Sequence, residues 1–100
     1  MKWGQKRDPV TVRREVKIVN ELGLHARPAA QFVRRAKAFR SEVWLVRETG
    51  RFSAASLIDV LRANLNCGDT AVLEAHGADA EEAVEELEKL IASLADGKED

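Results

Sequence analysis

Residues 22–30 read Leu22-Gly23-Leu24-His25-Ala26-Arg27-Pro28-Ala29-Ala30, and the hydrophobic period of the chain changes across them. Just before, Glu15-Val16-Lys17-Ile18-Val19 alternates polar and apolar, the pattern of a half-buried strand. Beyond it, Ala29, Phe32, Val33, Ala36 and Phe39 recur at three- and four-residue steps, marking one face of a helix that begins at Ala26. Pro28 suits the first turn of that helix, where backbone amides have no partner inside the helix. Asn20 to His25 supply the turn between the two elements.

Further along, Glu42–Arg47 (EVWLVR) is rich in β-branched and aromatic residues and reads as a second strand. Glu48-Thr49-Gly50 turns it into a short third strand over Arg51–Ala54. Ser56 is placed to cap a short helix, with Asp59 three residues on and Leu57, Ile58 and Leu61 as its buried side. Residues 70–75 (TAVLEA) form a fourth strand closed by His76-Gly77. The last helix is capped by Asp79, and Ala80, Ala83, Val84, Leu87, Leu90, Ile91 and Leu94 form its apolar stripe. The order β-α-β-β-α-β-α predicts an α+β domain, one four-stranded antiparallel sheet with the helices covering one face.

With 100 residues, 45% of them apolar, the chain is long enough for one domain. That domain is expected over residues 10–95, with a ragged extension at 1–9 and a frayed tail at 96–100. No apolar run approaches the roughly 18 residues needed to cross a bilayer, and the polar N-terminus lacks a secretory signal. A cytoplasmic location is expected. Cys67 is the single cysteine, and His25 and His76 share no ligand cluster, so neither a disulfide nor a metal site is expected. The net charge of −1 hides a division: residues 1–50 carry 12 basic and 5 acidic side chains, and residues 51–100 carry 4 and 12.

The chemistry concentrates at the first helix start. Unpaired amides and aligned peptide dipoles make a helix N-terminus an anion site. A neutral imidazole nitrogen of His25 held there can attack a phosphoryl group, and the product would rest against free amides and the Arg27 guanidinium. Gly23 lets the preceding loop approach closely. The same spacing also suits a plain surface histidine capping its helix.

Gly23-Leu24-His25-Ala26-Arg27-Pro28-Ala29 resembles the active-site motif of the HPr family, the histidine phosphocarriers of the bacterial phosphoenolpyruvate-dependent phosphotransferase system. The resemblance runs from Val16 to Leu94 and includes the spacing to Ser56, the Gly68-Asp69 turn and the Gly77-Ala78-Asp79 step into the last helix. It implies an open-faced β-sandwich and a cofactor-free transfer intermediate, monomeric and without nucleic-acid partners. The phosphoryl group would come from phosphoenolpyruvate through enzyme I to a ring nitrogen of His25, and pass on to an enzyme IIA component in sugar uptake. By the same resemblance Arg27 steadies the phosphohistidine, and Ala26, Leu57, Ile58 and Leu61 form the partner face. Ser56 matches the serine modified by the ATP-dependent HPr kinase/phosphorylase. The family often has lysine before that serine and glycine three residues after it, where this chain has Ala55 and Asp59.

Among the remaining residues, His76 reads as a turn residue and Cys67 as a small packed hydrophobe. Trp44, Phe32 and Phe39 read as core, whereas Trp3 has no assignment. Arg34, Arg35, Lys37 and Arg40 form the solvated face of the first helix and a surface able to steer acidic partners toward His25. Two other functions suit the sequence less well. One is a regulatory HPr-like protein of a nitrogen-type or permease-free system, docking on kinases or transcription regulators. The other is a small nucleic-acid-binding module, which has few aromatics placed to stack on bases.

Overall fold

The computed structural model describes residues 8–95. Most of the extension expected at 1–9, including Trp3, and the tail expected at 96–100 lie outside that range. Four strands, β1 (Val10–Lys17), β2 (Glu42–Arg47), β3 (Gly50–Ser53) and β4 (Thr70–Gly77), form one antiparallel sheet in the order β1-β4-β2-β3. Three helices, α1 (Ala26–Ala36), α2 (Leu57–Arg62) and α3 (Ala80–Leu94), complete the predicted order β-α-β-β-α-β-α.

Strand alternation sets the two faces of the sheet. Val16, Val43, Leu45, Ala71, Leu73 and Ala75 point to the covered face, where they pack with Phe32 of α1 and Ala83, Val84, Leu87 and Ile91 of α3. Trp44 falls in the opposite phase, which corrects its placement in the core. It is half-buried on the open face, with the Arg51 guanidinium 4.1 Å from its ring centroid. Glu74 faces Arg51 at 3.4 Å and Arg13 at 3.6 Å there.

Strand β3 is shifted by one residue, and β4 runs on through His76, which pairs with Thr11 and Glu42 and is a strand residue, not a turn residue. Three further boundaries differ for identifiable reasons. Strand β1 starts at Val10 instead of Glu15 because it pairs with β4 along its full length, Val10 opposite Gly77 and Lys17 opposite Thr70. Arg14 occupies a covered-face position near the sheet edge, and its side chain reaches out to Glu88 of α3 at 2.7 Å. Ile18 leaves the ladder: its amide donates to the Asp69 carbonyl (2.8 Å) and its carbonyl accepts from the Gly68 amide (2.7 Å). Helix α1 stops at Ala36, so Phe39 packs against the core from the following turn.

Asp79 occupies the N-cap position of α3, but its side chain makes no capping bond. Its carboxylate accepts instead from the Arg40 amide (2.9 Å), the Ser41 amide (2.9 Å) and the Ser41 hydroxyl. The residue therefore ties the start of α3 to the entry of β2, and the expected cap is corrected to a tertiary clasp.

Candidate functional site

The loop from Ile18 to His25 is fixed before the helix begins. Asn20 is buried and donates through Nδ2 to the Gly23 carbonyl at 3.1 Å, closing a turn with the Gly23 amide on the Asn20 carbonyl. Gly23 has φ +68°, and a β-carbon there would collide with the carbonyl oxygen of Leu65. Glycine is required on both counts. The Leu24 amide donates to that same carbonyl at 2.9 Å, and the Leu24 side chain is fully buried. This anchor sets the position of His25.

His25 has extended backbone (φ −129°) at the N-cap of α1, yet its ring makes no capping bond. The ring is half-buried, with Nε2 2.9 Å from Oδ1 of Asn66. Nδ1 has no partner among the described residues. Ala26 follows with φ +54°, a left-handed conformation that costs a non-glycine residue about 1–3 kcal/mol. The amides of Ala26 and Arg27 have no acceptor among the described residues, and Pro28 has no amide hydrogen to offer. Arg27 is exposed, with no ion pair among the described residues. A ring nitrogen, two free amides and a guanidinium thus gather at one helix start, a set suited to an anion held on the ring.

Asn66 was not apparent as a site residue from the sequence. It opens the turn Asn66-Cys67-Gly68-Asp69, in which the Asp69 amide donates to the Asn66 carbonyl at 2.9 Å and Gly68 takes φ +95°. The Asn66 amide donates to the Asp69 carboxylate at 2.8 Å. Arg47 of β2 stands 3.5 Å from that carboxylate and donates to the carbonyls of Ala63 (2.7 Å) and Asn64 (3.0 Å). Cys67, expected to pack, is exposed at the crest of this turn.

The N-terminus of α2 has the expected serine cap, but Asp59 acts elsewhere. The Ser56 hydroxyl accepts from the Asp59 amide at 3.2 Å, whereas the Asp59 carboxylate accepts from the Ser53 amide at 3.0 Å. The buried side is corrected: Val60 is fully buried, and Leu57, Ile58 and Leu61 are 42%, 64% and 37% exposed. A groove of about 280 Å³ joins Leu57 to Ala30, Val33, Arg34 and Lys37 of α1. The apolar patch and part of the basic face of α1 therefore adjoin.

Arg35 is committed to Glu86 of α3 at 3.3 Å. His76 is exposed at the end of β4, with Nδ1 2.7 Å from the Thr11 hydroxyl on β1. Among the described residues, no three His, Cys, Asp or Glu side chains are placed to hold a metal, and no helix is long and apolar enough to cross a membrane. A cleft of about 470 Å³ lies around Glu15, Arg47, Asp69 and Thr70 and includes neither His25 nor Arg27.

Residues 12–93 match the family described as the PTS HPr component phosphorylation site. The phosphocarrier protein HPr of Haemophilus influenzae is 42% identical over 81 residues, covering 81% of this chain and 95% of that protein. The HPr of Vibrio cholerae is 41% identical over the same shares of both chains. The crystal structure of HPr from Thermoanaerobacter tengcongensis superposes with a TM-score of 0.81 at 36% identity, covering 84% of this chain and 94% of the other. Another solved relative, at 33% identity and a TM-score of 0.67, is the catabolite-repression protein Crh of Bacillus subtilis, a domain-swapped dimer, with 82% of this chain and 94% of that one covered. With the fold, the helix-start motif and these likenesses in agreement, the chain belongs to the HPr family of phosphocarriers of the phosphotransferase system.

Proposed function

We propose that His25 is the residue that carries the phosphoryl group, accepting it from phosphorylated enzyme I and passing it to an enzyme IIA component in sugar uptake. The observation that carries this reading is the state of the His25 ring. It caps nothing, one nitrogen is held by Asn66, and the other is unpartnered beside the free amides of Ala26 and Arg27. Helix-start amides and a guanidinium favour the phosphoryl dianion there. Arg27 steadies it, and Ala26, Leu57, Ile58 and Leu61 with the α1 groove form the face on which both partners dock.

In this reading the protein works in the cytoplasm as a monomeric transfer intermediate, with residues 10–95 as the working domain. Ser56 is a helix cap, and it also matches the serine that an HPr kinase modifies; the two roles are compatible, because phosphate oxygens at this helix start accept from backbone amides as the hydroxyl does. The direct test is reconstitution: isolated protein phosphorylated on His25 is mixed with enzyme IIA, and label is followed on both proteins. Quantitative movement of label to enzyme IIA supports the reading. Label that stays on His25 while the enzyme IIA is competent with another phosphocarrier refutes it.

A further inference from the structure

The amide orientation of Asn66 fixes where His25 carries its proton. Nδ2 of Asn66 donates to the carbonyl of Asn64 at 3.3 Å, and a carbonyl only accepts. Oδ1 is therefore the atom turned toward the ring, 2.9 Å from Nε2 of His25. An acceptor needs a donor opposite it, so the neutral ring holds its proton on Nε2 and a lone pair on Nδ1. Asn66 is itself clamped by Asp69 through its backbone amide and carbonyl, and Asp69 is paired with Arg47. Arg47 also donates to the Asn64 carbonyl that orients the Asn66 amide. The alignment of the ring thus traces back to the end of β2.

We infer that Asn66 is a positioning residue for phosphoryl transfer: by holding the Nε2 proton it makes Nδ1 the attacking atom. The inference rests on the phosphocarrier reading of His25. In the forward step the Nδ1 lone pair forms a P–N bond to the phosphorus carried by phosphorylated enzyme I. The bond from phosphorus to the donor's leaving atom breaks, and its electron pair stays with the donor. The proton remains on Nε2, and the positive charge gained by the ring strengthens its hydrogen bond to Oδ1 of Asn66. In the onward step a nucleophile of enzyme IIA takes the phosphoryl group, and the P–N electron pair returns to Nδ1. The ring then leaves as neutral imidazole, a far better leaving group than an imidazolate. One hydrogen bond serves both directions.

The experiment has two arms, using the whole protein and its Asn66→Ala and Asn66→Asp variants. In the first, long-range ¹H–¹⁵N spectra of ¹⁵N-labelled protein, recorded where His25 is neutral, report which ring nitrogen is protonated. The parent and Asn66→Asp should show a protonated Nε2 and an unprotonated Nδ1, and Asn66→Ala a mixture of both tautomers. In the second, the initial rate of phosphoryl uptake from phosphorylated enzyme I should fall about tenfold in Asn66→Ala, the scale of one hydrogen bond. A parent protonated on Nδ1 overturns the inference. So does an Asn66→Ala variant with the parent's tautomer, or one labelled at the parent's rate, and in those cases the His25 assignment stands. A parent that takes up no phosphoryl group on His25 overturns the phosphocarrier reading and this inference together.

Discussion

The α-carbon of Gly23 packs against the carbonyl oxygen of Leu65 so closely that no side chain fits between them. This contact, with the Leu24 amide on the same carbonyl, brings the His25 loop to the segment that carries Asn66. Gly23→Ala adds a methyl group to backbone and imposes a positive φ on alanine. The two effects should cost roughly 2–4 kcal/mol together. Chemical denaturation should register that loss, and the Asn66 and Leu65 amide resonances should shift in the folded variant.

Asp79 gives a pH dependence with a definite sign. Burial pushes its carboxyl up, but the Ser41 hydroxyl and the Arg40, Ser41 and Asp79 amides outweigh this and hold it below the ordinary carboxylate value. A carboxylate whose proton affinity is lowered by folding adds stability above its unfolded value, about 4, and that contribution fades as pH falls through the folded one. Asp79→Ala should therefore lower the melting temperature at pH 7, and the gap to the parent should narrow as pH falls below about 5. A gap that widens on acidification would contradict the clasp.

Ile58, the most exposed of the three apolar residues on α2, contributes little to the core. Ile58→Lys should change stability by no more than about 0.5 kcal/mol. If this face docks the partners, the same substitution should weaken enzyme I binding by about tenfold or more, as measured calorimetrically. Arg34→Glu with Lys37→Glu, across the groove, should slow phosphorylation most at low salt. Arg34 and Lys37 are a cleaner choice than Arg35, whose ion pair with Glu86 would also be lost.

At the start of α2, Ser56→Ala removes the cap and should cost about 1 kcal/mol. A phosphate on Ser56 would meet the carboxylate of Asp59, whose amide is bonded to that hydroxyl. Asp59→Asn removes this charge, so ATP-dependent phosphorylation by an HPr kinase should be faster in Asp59→Asn than in the parent. Equal rates would show that Asp59 does not restrain the modification.

How far the sequence could be read depended on whether the determining contact was local. The turn to α1, Pro28 in its first turn and the Ser56 cap depend on neighbours within a few residues, and each was legible. The partner of His25 is 41 residues away and that of Asp79 is 38 or 39, so neither Asn66 nor the clasp could be found by spacing. Helix α2 has only six residues, too few for periodicity to fix its phase, and Val60 took the buried position given to its neighbours. Trp44 reads as core by residue type, and only its strand phase, followed from Val43 and Leu45, puts it on the open face.

Whether His25 carries the phosphoryl group is decided by incubating the protein with phosphoenolpyruvate and enzyme I and mapping the modified residue by mass spectrometry. One phosphate is expected on His25, labile in acid and stable in base, and none on a His25→Ala variant. A His25→Ala variant labelled as well as the parent, or a phosphate on any other residue of the parent, would contradict it.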